Sequence, residues 1–249
     1  MTIGAGLRVR EDGRTPEQMR PASVDLDVQK WTAASCVIRV GGTHVLCAAT
    51  IEDRIPPHLR GKGTGWVTAE YAMLPGATSE RSLRESVKGK LGGRTHEIQR
   101  LIGRSLRGVV DTAALGERTV SIDCDVLQAD GGTRCASITG GWIVLAIALR
   151  RAGLERALRG QLAAVSVGKV AETLLLDLDY SEDSRAEVDF NVVATDAGTY
   201  VEVQGTAEGS PFHRAEMDRL LALADAGITQ LFSVQADAVA RAAAAGRPA

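Results

Sequence analysis

The stretch TVSIDCDVLQADGGTRCASITGGWIVLAIAL (Thr119–Leu149) decides the fold. Its opening residues alternate, with Val120, Ile122, Cys124 and Val126 on one side and Asp123 and Asp125 on the other, the period of a half-buried strand. Asp130-Gly131-Gly132 then breaks the chain with turn chemistry. From Thr133 and Arg134 onward the residues are small and apolar nearly all round, so this segment reads as a central, buried helix. Working outward, Ser35–Val40, a Gly41-Gly42 turn and Val45–Ile51 form a predicted β-hairpin. The run PPHLRGKGTG (Pro56–Gly65) reads as a flexible loop leading into a strand at Trp66–Met73, which Pro75, Gly76 and Thr78 end. Glu97–Val110 predicts an amphipathic helix, with Ile98, Leu101, Ile102, Leu106 and Val109 on one stripe and Arg100, Arg104 and Arg107 on another. A second hairpin, Val188–Thr195 and Thr199–Gly205 around Asp196-Ala197-Gly198, echoes the first, and a helix follows at Leu220–Leu231. The chain is therefore expected to be one α+β domain over residues 1–249, with pseudo-repeat halves of about 18–150 and 160–232, each a βα unit. Residues 1–25 read as irregular, and AVARAAAAGRPA (Ala238–Ala249) as a fraying tail.

Composition bounds the function. The chain has 249 residues, 45% hydrophobic and 24% charged, long enough for a substantial core. A net charge of −2 argues against a protein coated in basic surface, so any polyanion must be held locally. Aromatic residues make up 4%, too few for a nucleic-acid grip built mainly on stacking, whereas Arg supplies 24 of the 29 bases. Cys36, Cys47, Cys124 and Cys135 show no finger spacing and suit free thiols in a reducing cytoplasm. No apolar signal core or membrane-length run is present, and the reading is a cytoplasmic protein without membrane partners. His44, His58, His96 and His213 form no close pair, and Trp31, Trp66 and Trp142 are expected to pack or lie in interfaces.

Three constellations have chemical potential. In QADGGTR (Gln128–Arg134) a glycine turn between strand and helix offers bare N–H groups, a helix dipole, a hydroxyl and a guanidinium to a phosphate, although such a turn is by itself more often a tight connection. From Glu80 to Arg107, eight bases (Arg81, Arg84, Lys88, Lys90, Arg94, Arg100, Arg104, Arg107) face three acids, a surplus suited to backbone phosphates or, more blandly, a salt-bridged helix face. In LLLDLDYSEDSRAEVDFN (Leu174–Asn191), six acids accompany one Arg, which core building does not ask for. There Asp183 and Asp189 flank a turn and suit a divalent cation or acid–base work, against the alternative of an acidic surface loop.

Together, GGRTHEIQRLIGRSLRGVVD (Gly92–Asp111), IDCDVLQADGGTRCASITGG (Ile122–Gly141) and LDLDYSEDSRAEVDFNVV (Leu176–Val193), with RPASVDLD (Arg20–Asp27) and VEVQGTAEGSPF (Val201–Phe212), closely resemble the ribonuclease PH family over nearly the whole chain. The resemblance implies two β-sheets around central helices and a phosphorolytic 3′-to-5′ exoribonuclease. Such an enzyme trims tRNA precursors and works in tRNA and rRNA processing, using inorganic phosphate to release nucleoside 5′-diphosphates. It implies phosphate binding by Arg94, Gly132, Thr133 and Arg134, catalysis and Mg²⁺ binding by Asp183 and Asp189, tRNA contacts from Arg81 and Arg84, and a homohexameric ring, a trimer of dimers. Departures are Cys135 for Thr, Gly141-Trp142 for Ala-Phe, Phe190 for Met, and Gly76 where Arg is often found, which removes one basic contact to tRNA. The alternatives are a non-catalytic, RNA-threading ring subunit of an exosome-like assembly and a small-molecule phosphotransferase. Retention of all six phosphate-binding and catalytic positions disfavours the first.

Overall fold

A computed structural model of the chain describes residues 10–208 and 211–246, the side chains of Ser86 and Lys88 excepted. Strands β1 (Ala22–Leu26), β2 (Ala34–Val40), β3 (Thr43–Glu52), β4 (Trp66–Met73) and β5 (Thr119–Gln128) form one sheet in the order β1-β2-β3-β5-β4. Within it only β4 and β5 are parallel, and the crossover between them has helices α1 (Gly93–Arg107) and α2 (Thr112–Leu115). Helix α3 (Thr133–Arg151) follows β5. Strands β6 (Leu162–Val170), β7 (Thr173–Leu176), β8 (Val188–Thr195) and β9 (Tyr200–Ala207) make an antiparallel second sheet in the order β7-β6-β8-β9, with the short helix α4 (Tyr180–Asp183) before β8 and the long helix α5 (Arg214–Ala245) after β9.

The alternation in β5 holds: Val120, Ile122, Cys124 and Val126 are buried, while Asp123 and Asp125 lie half-buried on the other face. Helix α3 has no polar stripe because β2 and β3 pack on one side of it and β6 on another, so every residue from Cys135 to Leu149 is buried. Gly140 permits that approach, since a Cβ there would stand 2.7 Å from Ile38 Cγ2 and 2.8 Å from Cys47 Sγ. Among the described residues no helix is long and apolar enough to cross a membrane.

Several expectations need correction. Helix α1 begins at Gly93, not Glu97, which puts Arg94 in its first turn. Its basic face is partly used up: Arg107 donates to the Val67 carbonyl at 2.8 Å and lies 4.2 Å over Trp66, and Arg104 pairs with Glu202 at 2.7 Å. The side chain of Lys88 lies outside the described residues. The N-terminal segment is not all irregular, for β1 starts at Ala22 and Arg10, Arg14 and Arg20 are buried. The fraying tail is helix through Ala245 with Ala238 and Ala242 in the core; residues 247–249 lie outside the described range, as do 1–9. Trp142 packs as expected, donating from Nε1 to the Gly160 carbonyl at 2.9 Å, whereas Trp31 is 90% exposed.

Candidate active site

The glycine turn is held by two side chains, Thr43 and Arg20. Gly131 and Gly132 take φ of 74° and 67°, the left-handed region that glycine enters without penalty. Thr43 Oγ1 donates to the Gly131 carbonyl at 2.6 Å and accepts from the Asp130 N–H at 2.9 Å. Arg20 donates to the Asp130 carbonyl from Nη1 and grips Asp177 from its backbone N–H, Nε and Nη2 at 2.8, 2.9 and 2.7 Å. Among the described residues no side chain caps α3, which leaves the N–H groups of its first turn open to an anion.

The acidic segment divides into acids that pair with buried arginines and acids that do not. Asp177 and Glu182 are buried, Asp177 on Arg20 and Glu182 on Arg10, whose Nε reaches it at 2.6 Å. Asp179 and Glu182 also close a capping box around α4, each bond 3.0 Å. Core building thus does require acids here, contrary to expectation, because three N-terminal arginines are buried beside them. Asp183 and Asp189 form no such ion pair among the described residues.

Asp189 lies on β8 opposite Gly168 and Thr206. Its Oδ1 is buried without a hydrogen-bond partner, and Oδ2 accepts only a long 3.4 Å bond from Asn191 Nδ2. Burial, then the negative charge of Asp183, push its carboxyl up to about 6, against the pull of Arg134, Asn191 and Arg94. Burial also raises Asp183, opposed by Arg94, Arg134 and Arg20. Arg134 donates to Gln204 Oε1 at 2.7 Å and makes a long ion pair with Glu97 at 3.8 Å. Thr133 Oγ1 bonds the Tyr71 hydroxyl at 2.9 Å. Arg94 is exposed and forms no ion pair among the described residues.

One cavity of about 880 Å³ gathers these groups. Arg94, Gly132, Thr133, Arg134, Asp183 and Asp189 all line it, as does Arg81. Arg84 does not: it is exposed, and its charge acts on Asp125. Among the described residues no group of three or more His, Cys, Asp or Glu side chains is placed to hold a metal ion, so the acids available to one here are a pair.

A family model described as the 3′ exoribonuclease family, domain 1, matches residues 18–153, and its domain 2 counterpart matches residues 160–227. The chain belongs to the 3′ exoribonuclease family. Ribonuclease PH of Saccharopolyspora erythraea is 54% identical over 237 residues, which span 93% of this chain and 94% of that protein. Two solved structures share the fold at 18% identity: rice (Oryza sativa) Rrp46, with a TM-score of 0.72 over 92% of this chain and 100% of that one, and the Archaeoglobus fulgidus exosome with RNA bound to the active site, with a TM-score of 0.75 over 91% and 92%. The chain is a phosphorolytic 3′-to-5′ exoribonuclease of the tRNA-processing kind, and the exosome-subunit alternative has the weaker support.

Within this 3′ exoribonuclease, two of the positions expected to depart from the family pattern, Cys135 and Phe190, are packed into the interior. Cys135 points its thiol at Asn191 Oδ1, 3.2 Å away, and Phe190 fills the second core beneath Gly205, where a Cβ would collide with its ring at 2.4 Å. Gly76 has open space where a side chain would start. Sequence reasoning misses four supporting residues: Arg20, Tyr71, Asn191 and Tyr180. Asn191 is within its reach, since it stands two residues from Asp189 on a strand and so faces the same way.

Proposed function

We propose that this cavity is where orthophosphate meets the last linkage of an RNA strand. The observation that carries the reading is the convergence of Arg94, Arg134 and the uncapped start of α3 with two carboxylates whose proton affinity burial raises, on one cavity. Phosphorolysis sets one polyanion against another, so the protein's task is to offset repulsion and align the attack. Arg94, Gly132, Thr133 and Arg134 hold the phosphate. Its oxygen forms a bond to the terminal phosphorus, the bond from phosphorus to the 3′ oxygen of the neighbouring nucleotide breaks, and a nucleoside 5′-diphosphate leaves. Asp189, whose carboxyl burial raises to about 6, either delivers a proton to the departing 3′ oxygen or, in its ionised form, joins Asp183 in holding a cation there.

Mg²⁺ fits the same acids. Asp189 Oδ1 is a buried oxygen lacking a donor, and Mg²⁺ is usually held by one or two carboxylates plus phosphate oxygens. Asp183 and Asp189 would hold it, and when bound it supplies positive charge to the phosphates. Arg81 at the cavity and Arg84 outside it contact RNA upstream of the reacting end, in tRNA precursors and in rRNA. The free cysteines suit a cytoplasmic setting. From its likeness to ribonuclease PH, the assembly is read as a homohexameric ring. The two halves, each a sheet with its own long helix, are read as one duplicated unit.

The test is a tRNA precursor with a 3′ tail, incubated with and without phosphate. Nucleoside diphosphates should appear only when phosphate is present. Monophosphates released at a rate indifferent to phosphate would overturn the reading.

A further inference from the structure

Tyr180 is the one aromatic side chain among the residues lining the cavity, and it is 62% exposed. The other tyrosines are occupied: Tyr71 is buried with its hydroxyl on Thr133, and Tyr200 bonds Asp225 at 2.9 and 3.0 Å. Among the described residues the Tyr180 hydroxyl bonds nothing. An exposed ring lining a polar cavity offers its apolar face to whatever occupies that cavity.

The backbone beneath the ring is fixed. Tyr180 opens α4, whose capping box is complete, and its N–H reaches Asp130 Oδ1 at 3.3 Å. Gly131 packs so closely that a Cβ on it would stand 2.9 Å from the Tyr180 nitrogen. The ring is thus held beside the glycine turn proposed to bind phosphate. Asp183 is three residues on, and side chains so spaced on a helix share a face. A flat apolar surface is thereby presented next to the carboxylates that attend the breaking bond.

We propose that Tyr180 is a stacking platform for the base of the 3′-terminal nucleotide, a substrate-contacting residue that holds the RNA end in the cavity without regard to base identity. Every base has a π-face, so such a platform tolerates sequence, as an enzyme that removes successive nucleotides of differing base needs. The proposal rests on the phosphorolytic reading of the cavity.

The test is a chemical cycle on the whole protein. Tyr180→Ala should raise KM for short RNA oligonucleotides by roughly tenfold to a hundredfold, while kcat at saturating RNA and KM for phosphate stay within about twofold. Tyr180→Phe should restore the wild-type KM. An oligonucleotide whose terminal nucleotide lacks a base should lose the same factor with the wild type and nothing further with Tyr180→Ala. An unchanged KM in Tyr180→Ala, or a sensitivity to the abasic terminus equal in both proteins, overturns the platform. Wild-type protein with no phosphate-dependent release would instead overturn the underlying reading, so the two failures are told apart.

Discussion

Replacing Asp189 by Asn should make the protein more stable and nearly inactive at once. The folded environment moves this carboxyl from 3.8 to about 6, and because a tenfold change in proton affinity is worth about 1.4 kcal/mol, holding it ionised opposes folding by about 3 kcal/mol. The amide that replaces Oδ1 inherits a site without a partner, at about 1 kcal/mol. A net gain of about 2 kcal/mol remains, or roughly 4 to 8 °C in melting temperature for a chain of this size. The sign follows from linkage: between about pH 4 and 6 the native protein binds the proton that the unfolded chain releases, so wild-type stability falls as pH rises through that window. The gain in Asp189→Asn should therefore be full above about pH 7 and vanish toward about pH 4. Urea unfolding across this range, in phosphate-free buffer at fixed protein concentration, measures it. A gap that does not change with pH would refute the argument. Turnover should drop roughly 100-fold, as when other groups directed at the transition state are removed, and near wild-type phosphorolysis would remove Asp189 from the chemistry.

Arg134→Ala should raise KM for phosphate at least about tenfold and leave KM for RNA within about threefold; an unchanged phosphate dependence would count against its place in the nest. Arg20→Met strands the buried Asp177 carboxylate and should cost about 3 to 5 kcal/mol in denaturant unfolding, and a loss under about 1 kcal/mol would show that the brace is not needed. Arg81→Ala with Arg84→Ala should weaken full-length tRNA precursors, flatten the salt dependence of their binding and spare short oligonucleotides. An equal effect on both substrates would exclude contacts upstream of the reacting end.

Where a residue's period declares its surroundings, the sequence is readable. The alternation of β5 and the all-apolar run of α3 announce a one-sided strand and an enclosed helix, and both hairpins carry their turn residues. The glycine turn and the two acids stand out as candidates, but each alone has a blander reading, and it is the resemblance of the long ordered blocks to a known family that singles them out. What stays hidden depends on partners distant in the chain. Arg20 resembles any surface arginine until folding brings Asp177 to it across 157 residues, and the acids of the Asp177–Asp183 segment look superfluous for the same reason. Residues 162–176, so apolar that helix and strand are indistinguishable by period, announce no element, yet they form β6 and β7. Alanines in the last helix carry little signal of burial in themselves, which is why a core segment reads as a tail.

That last helix imposes an order on synthesis. Its first turns, through Leu220, Ala224 and Ile228, belong to the core of the second sheet, while Ala238 and Ala242 belong to the core of the first, and Arg241 Nη2 donates to the Val24 carbonyl at 3.0 Å. The amino-terminal half therefore emerges from the ribosome with part of its interior still unmade, and seals only when the final turns arrive. A nascent chain stalled shortly before residue 238 is the species that chaperones would be called on to shield.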